Sequence, residues 1–285
     1  MQTRSFGRCI RRFWLCLVVL CSCTVFGTLI VPPVQADVIF SAPPQYGEAT
    51  AKEIYGPLIR YLELIIGENV VFEYPADWRE YSKNMRDDHY DIVFDAPHFS
   101  SWRMKNLDHV AVVRLPGTVG YLIVTNTEET YIDSLRDLVS TPICSLASPN
   151  LSTMTVYHLF ENPVNMPQIK EITGTFNEVY QALKRHQCKA AVLRQVDYEA
   201  LAKAEQENIK IVAKSQPMPE WTITISKRLR AKQRAITMML TSVEGARAGR
   251  NIFREYGKKQ QEFVPVTPEE YKDLDSLLSH VVWGW

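Results

Sequence analysis

The chain has 285 residues, with 32 Lys+Arg against 32 Asp+Glu and a hydrophobic fraction of 46%. Four of the basic residues and none of the acidic ones fall in the first 36 positions, which leaves 28 basic against 32 acidic side chains and a formal charge of −4 beyond them. That balance lacks the basic surface a nucleic-acid partner requires, and the remaining 249 residues suit one large or two medium domains.

Arg4, Arg8, Arg11 and Arg12 precede an apolar run from Phe13 to Val31, and Val34 and Ala36 put small residues at the −3 and −1 places of a peptidase site. Basic, apolar and cleavage regions in that order predict a signal peptide over residues 1–36. The apolar run is 19 residues, long enough to span a bilayer, so a retained anchor is the alternative; lipid attachment at Cys23 is a third. All three place the body of the protein outside the cytoplasmic membrane, in the periplasm. Cys9, Cys16, Cys21 and Cys23 belong to this segment, so only Cys144 and Cys188 remain. In an oxidising compartment these two either pair or stay as buried thiols.

The body begins with a short apolar strand, Asp37 to Phe40, and a Pro-bounded loop. Apolar residues at Ala51, Ile54, Tyr55, Leu58, Leu62 and Ile65 predict an amphipathic helix from Glu48 to Ile66, ended by Gly67. Strands follow over 70–74 and 90–94, with a helix between them over 78–86. Another helix starts at His98, after Asp95-Ala96-Pro97. Next come strands over 110–114 and 120–125. The strand–helix rhythm then restarts, with strands over 142–146, 169–172, 189–193 and 209–213. The intervening helices are placed at 152–160, at 176–186 behind the capping box of Thr175 and Glu178, and at 197–205. Residues 221–226 read as a strand, and helices are predicted over 229–243, 246–256 and 268–282. Strands alternating with helices imply parallel pairing through right-handed crossovers. Two such units in series predict two α/β lobes, with the strands at 120–125 and 221–226, where the rhythm changes, as the candidate crossings between them.

Four passages in this order resemble the periplasmic phosphate/phosphonate-type solute-binding proteins of ABC transporters. They are Ser41-Ala42-Pro43-Pro44 running into Tyr55 to Leu62, then Tyr90 to Pro97, Ser148 to Thr155, and Ala190 to Leu193 with Asp197. The resemblance covers nearly all of residues 37–285 and implies a type II periplasmic-binding-protein fold, two Rossmann-like lobes joined by two hinge crossings. Lobe 1 is then residues 37–125 plus 216–285, and lobe 2 is residues 126–215. The hydroxyl loop departs from the family pattern: Leu151 precedes Ser152-Thr153, and Met154 replaces a Gly. His98-Phe99-Ser100 stands where many members have an aromatic.

Ligands of doubly wound lobes bind beyond the carboxyl ends of the strands, where helix N-termini favour anions. The expected ligand-binding residues are Tyr46, Asp95, His98, Phe99, Ser100, Ser152, Thr153, Thr155, Arg194 and Asp197. Each has an ordinary alternative: Ser152 and Thr153 as helix caps, Asp95 and Asp197 likewise, Tyr46 and His98 as solvent-facing residues, Arg194 as a surface ion pair. No Gly-x-Ser-x-Gly, His-Glu-x-x-His, P-loop or Gly-x-Gly-x-x-Gly fingerprint occurs, and the six His are scattered singly. Neither a catalytic set, a metal site nor a cofactor is therefore expected. The resemblance implies a monomer that captures a small anionic solute by hinge closure and presents it to an ABC transporter permease. A sensor on the same fold, and an enzyme built on that scaffold, are the alternatives.

Overall fold

The computed structural model describes residues 36–160, 162 and 164–280, so the expected signal peptide lies, apart from Ala36, outside the described residues. Strand β1 (Val38–Ser41) buries Val38 and Phe40. Helix α1 (Glu48–Ile66) turns Ala51, Ile54, Tyr55, Leu58 and Leu62 inward. It stops where Gly67 takes φ 70° and its N–H bonds the Glu63 carbonyl, a left-handed cap that glycine adopts without a Cβ clash. After β2 (Val70–Phe72), Asp77 caps α2 (Trp78–Arg86) by accepting from the Glu80 N–H at 2.8 Å. β3 (Ile92–Asp95) leads through Ala96 into α3 (Pro97–Asn106), with Pro97 in the first turn, where its missing N–H is no loss.

The chain continues through β4 (Val110–Arg114), β5 (Thr118–Val119) and β6 (Tyr121–Asn126) to β7 (Pro142–Leu146), α4 (Leu151–Phe160) and β8 (Gln168–Ile172). The Thr175–Glu178 capping box opens α5 (Phe176–Lys184), and β9 (Ala190–Arg194) follows. The helix expected over 197–205 is two short ones, α6 (Gln195–Glu199) and α7 (Lys203–Glu207), because Ala202 between them is extended. Strands β10 (Ile209–Lys214), β11 (Met218–Pro219) and β12 (Thr222–Ile225) return the chain.

The C-terminal third is more broken than its periodicity predicts. A 3-10 turn at Lys227–Lys232 precedes α8 (Gln233–Leu240), α9 (Val243–Ala248) and α10 (Arg250–Glu255). The backbone turns at Gly249, where a Cβ would lie 2.6 Å from the Phe263 ring and 2.9 Å from that of Phe253. After β13 (Val264–Pro265), the helix expected over 268–282 is instead two 3-10 segments, Pro268–Tyr271 and Leu274–His280. Asp273 at φ 63° separates them, and an α-helix cannot continue through a left-handed residue. The expected end at Val282 lies outside the described residues.

Two sheets organise these elements. The first has the order β13-β4-β12-β3-β1-β2 and the second β10-β6-β9-β7-β8. β1 is parallel to β2 and β3, and β7 is parallel to β8 and β9. Each sheet also takes antiparallel strands: β12 between β3 and β4 and β13 at the edge beside β4 in the first, and β6 between β9 and β10 in the second. β6 pairs in the second sheet along its whole length, from Tyr121 to Asn126.

The crossings between the sheets are the flanking segments. They are tied together by the antiparallel pair β5–β11 and by the Leu115 N–H donating to the Trp221 carbonyl at 2.8 Å. Each sheet has its own core. Val38, Phe40, Leu58, Phe94 and Ile223 belong to the first. Alternation along β6 divides the second between two faces, Tyr121 and Ile123 on one, Leu122 and Val124 on the other. Cys144 and Cys188 on that latter face form a disulfide, with Cα atoms 5.7 Å apart, which settles the choice left open by the sequence. The final 3-10 segment touches both cores, Leu277 in the second and Leu278 in the first.

Candidate functional site

The loops beyond the carboxyl ends of β1, β7, β8 and β9 converge on a cavity of about 520 Å³. From the first-sheet side come Tyr46, which follows β1, and Trp78, the first residue of α2. The second-sheet side supplies Asn150, the stretch Ile172–Asn177, and Arg194 with Asp197 after β9. Tyr121 and Trp221 come from beside the two crossings, and Glu255 and Tyr256 from the end of α10. A smaller cavity of about 120 Å³ shares Arg194, Trp221 and Tyr256 and is lined by Thr118, Val119 and Gly120 of one crossing and Pro217 and Glu220 of the other.

Arg194 and Asp197 form a two-pronged ion pair, Nε to Oδ2 at 2.6 Å and Nη2 to Oδ1 at 2.9 Å. The spacing follows from the fold: Arg194 ends β9 and Asp197 lies in the first turn of α6, one helical turn away. Burial pulls the guanidinium pKa down, but the Asp197 hydrogen bonds and charge outweigh it, so Arg194 is held cationic. Its planar group also lies over the Phe176 ring, 5.1 Å from the centroid. With Nε and Nη2 committed, Nη1 still carries hydrogens to offer a ligand.

Burial raises the pKa of the lining phenols Tyr46, Tyr121 and Tyr256, and the nearby Glu255 charge adds to the effect at Tyr46. All three are therefore neutral hydroxyls at physiological pH. Tyr46 is positioned by the Tyr74 hydroxyl, which donates to its carbonyl at 2.8 Å.

Of the ten expected residues, Tyr46, Arg194 and Asp197 line the cavity. The others are buried in the body. Asp95 is fully buried and accepts from Arg103 Nε at 2.8 Å and from the Tyr81 hydroxyl at 2.5 Å. Burial raises its pKa, and Arg103 opposes that shift. His98, Phe99 and Ser100 form the buried first turn of α3. His98 Nε2 donates to the Pro149 carbonyl at 3.1 Å, and burial drives its pKa down to about 3 against that bond, so the ring is neutral.

The hydroxyl loop satisfies itself. Ser152 Oγ donates to Asn150 Oδ1 at 2.9 Å, Thr153 Oγ1 lies 2.5 Å from the Leu146 carbonyl, and Thr155 Oγ1 donates to the Leu151 carbonyl at 2.7 Å. Asn150, not the hydroxyls, reaches the cavity. Residues that sequence reasoning passed over are Trp78, Asn150, Phe176, Trp221, Glu255 and Tyr256. Phe176 and Trp221 lay beside features already noted, a capping box and a crossing. Nothing in the order of residues ties Glu255 and Tyr256 to Tyr46, some 210 positions earlier.

Two mixed α/β sheets, joined by paired crossings and enclosing a cavity at the ends of their strands, define a type II periplasmic binding protein. Residues 40–271 match the family described as ABC transporter, phosphonate, periplasmic substrate-binding protein, and the chain belongs to that family. Solved structures share the fold at low identity. The XAC2383 protein of Xanthomonas citri, bound to ATP, superposes with a TM-score of 0.68 at 14% identity, over 86% of this chain and 97% of that one. PhnD1 of Prochlorococcus marinus, in complex with methylphosphonate, gives 0.65 at 10%, over 86% and 98%. A binding-protein component of an ABC phosphonate transporter from Pseudomonas aeruginosa gives 0.59 at 16%, over 86% of each chain. No curated protein sequence matches the chain. The family is one of extracytoplasmic substrate-binding transport proteins, whose members take a small solute and work with an ABC permease. No helix among the described residues is long and apolar enough to cross a membrane.

Proposed function

We propose that the protein captures a small solute bearing an oxyanion, phosphate- or phosphonate-like, in the 520 Å³ cavity and delivers it to its permease. Supporting this is the position of Arg194, a cation held in the lining with donors to spare. A planar guanidinium recognises phosphoryl oxygens in two-pronged fashion, and the N-terminus of α5 at Gly174–Thr175 adds a favourable dipole at the same wall. The lobes are the two sheets with their helices, and the crossings at residues 115–120 and 215–221 are the hinge about which a ligand touching both lobes favours the closed state. Residues 1–36 act as the export signal.

Calorimetric titration of phosphate, phosphite and methylphosphonate into the wild type and the Arg194→Ala variant tests the reading. Binding weakened at least about 100-fold by the substitution is expected, as for loss of a charged hydrogen-bonding partner. Unchanged affinity would place the anion elsewhere.

A further inference from the structure

The 3-10 segment Leu274–His280 runs beside α3 of the first lobe and α4 of the second. A 3-10 helix has three residues per turn, so side chains three apart stack in a row along one of three faces. Leu274 and Leu277 form one row: Leu277 is buried in the core of the second sheet and Leu274 packs against it. Asp275 and Leu278 form the next, which faces the first lobe. Leu278 is buried in that core, and the Asp275 carboxylate accepts from Lys105 Nζ of α3 at 2.6 Å. The third row, Ser276 and Ser279, is exposed.

A helix with a single apolar row could ride with one lobe, but two rows facing different lobes tie it to both. Its hold on the first lobe is reinforced by the Asp275 N–H, which donates to Ser101 Oγ at 3.0 Å. Just before it, the fully buried Tyr271 donates its hydroxyl to the Glu220 carbonyl at 2.5 Å. The segment lies along the same two helices whose starts already meet, where His98 Nε2 donates to the Pro149 carbonyl at 3.1 Å. Rotation about the crossings that parts α3 from α4 must pull Leu277 out of one core or Leu278 out of the other, exposing apolar surface to water.

We propose that this segment is a strap, a third interlobe connection beside the two crossings, which favours approached lobes and so preorganises the cleft for its ligand. This rests on the reading of the two sheets as hinged lobes and adds what restrains them. The apparent affinity of a ligand that needs both lobes scales with the fraction of molecules in which they are approached. A strap that raises this fraction tightens binding from outside the site, since neither Leu277 nor Leu278 lines the cavity.

The test combines solution scattering of the ligand-free protein with calorimetric titration of methylphosphonate. It compares the wild type with Leu277→Ala, which cuts the second-lobe row, Leu278→Ala, which cuts the first-lobe row, and the double variant. Each single variant is expected to enlarge the radius of gyration and to weaken binding about fivefold or more. Because losing either row frees the strap, the double variant should weaken binding no more than about twofold beyond the singles. Leu183→Ala truncates a buried leucine on the other face of the second sheet and should change neither readout. An unchanged radius in both single variants, tighter binding, additive losses in the double variant, or equal changes in Leu183→Ala would overturn the strap. A wild type that does not bind methylphosphonate would count against the cleft reading instead, and the scattering of the variants would still decide the strap.

Discussion

His98 Nε2 donates to the Pro149 carbonyl at 3.1 Å, joining the first turn of α3, which follows a first-sheet strand, to the loop that follows β7 of the second sheet. Both partners are buried from water at this contact, and His98 Nδ1 has no hydrogen-bond partner among the described residues. The bond needs a proton on Nε2, which the neutral Nε2–H tautomer and the imidazolium both carry, so burial and not the bond keeps the ring neutral.

A pH dependence follows. Burial lowers the His98 pKa to about 3 in the folded protein, against about 6.5 in an unfolded chain. The unfolded state thus binds the proton first, so the contribution is complete above pH 6.5 and is lost as pH falls from 6.5 towards 3. His109, lowered to about 4 chiefly by burial, acts in the same direction. Denaturant melts should show His98 alone removing about 2 kcal/mol between pH 7.5 and pH 5. His98→Gln should flatten that slope; a slope unaffected by the substitution would refute the assignment.

The hydroxyl loop should matter for stability rather than for binding. Thr153 is fully buried, with its hydroxyl between Ser145 Oγ at 2.7 Å and the Leu146 carbonyl at 2.5 Å. Thr153→Val removes that donor at nearly constant volume and is expected to cost about 1–3 kcal/mol. Oxyanion affinity by calorimetry should stay within about twofold of wild type; a tenfold loss of affinity with unchanged stability would return the hydroxyl to the ligand.

The buried Asp95–Arg103 pair is the other feature at which one substitution should be severe. Both side chains are fully buried, and Arg103 also donates to the Tyr81 hydroxyl at 3.1 Å. Asp95→Ala leaves the guanidinium without its counter-charge and should cost about 3–5 kcal/mol by chemical denaturation. Replacing both residues by apolar ones of similar volume, as in Asp95→Leu with Arg103→Met, should cost much less than Asp95→Ala alone.

The Cys144–Cys188 disulfide closes a separation of 44 residues within the second lobe. Reduction, or Cys144→Ala with Cys188→Ala, should lower stability by about 2–4 kcal/mol and lower the thermal midpoint. Because neither cysteine lines the cavity, the anion affinity of the folded fraction should not change.

Much of the fold could be read from residue order. Period-2 and period-3.6 patterns are local properties, so β1, α1, β3, β7 and α5 stand where the apolar spacing and the caps put them. The breaks were less legible. At Gly249, between two short helices, a side chain would collide with two phenylalanine rings, and one of them, Phe263, comes from beyond the helix.

Taken alone, the order of residues determined the class of the protein, the two runs of alternating strands and helices, and the loops in which a ligand site had to be sought. It also marked Arg194, just after a strand, and Asp197, by its place in the family pattern, as residues to look at, without pairing them with each other. Tertiary structure decided which side of each loop faces the cavity. Asp95, His98 and Thr153 occupy strand ends and helix starts as expected, but the Asp95 carboxylate, His98 Nε2 and the Thr153 hydroxyl are engaged by partners distant in sequence or folded back in their own loops. Tertiary structure also brought Tyr46, Trp221, Glu255 and Tyr256 together, since only the return of β12 and α10 to the first sheet carries residues from the end of the chain back beside its beginning.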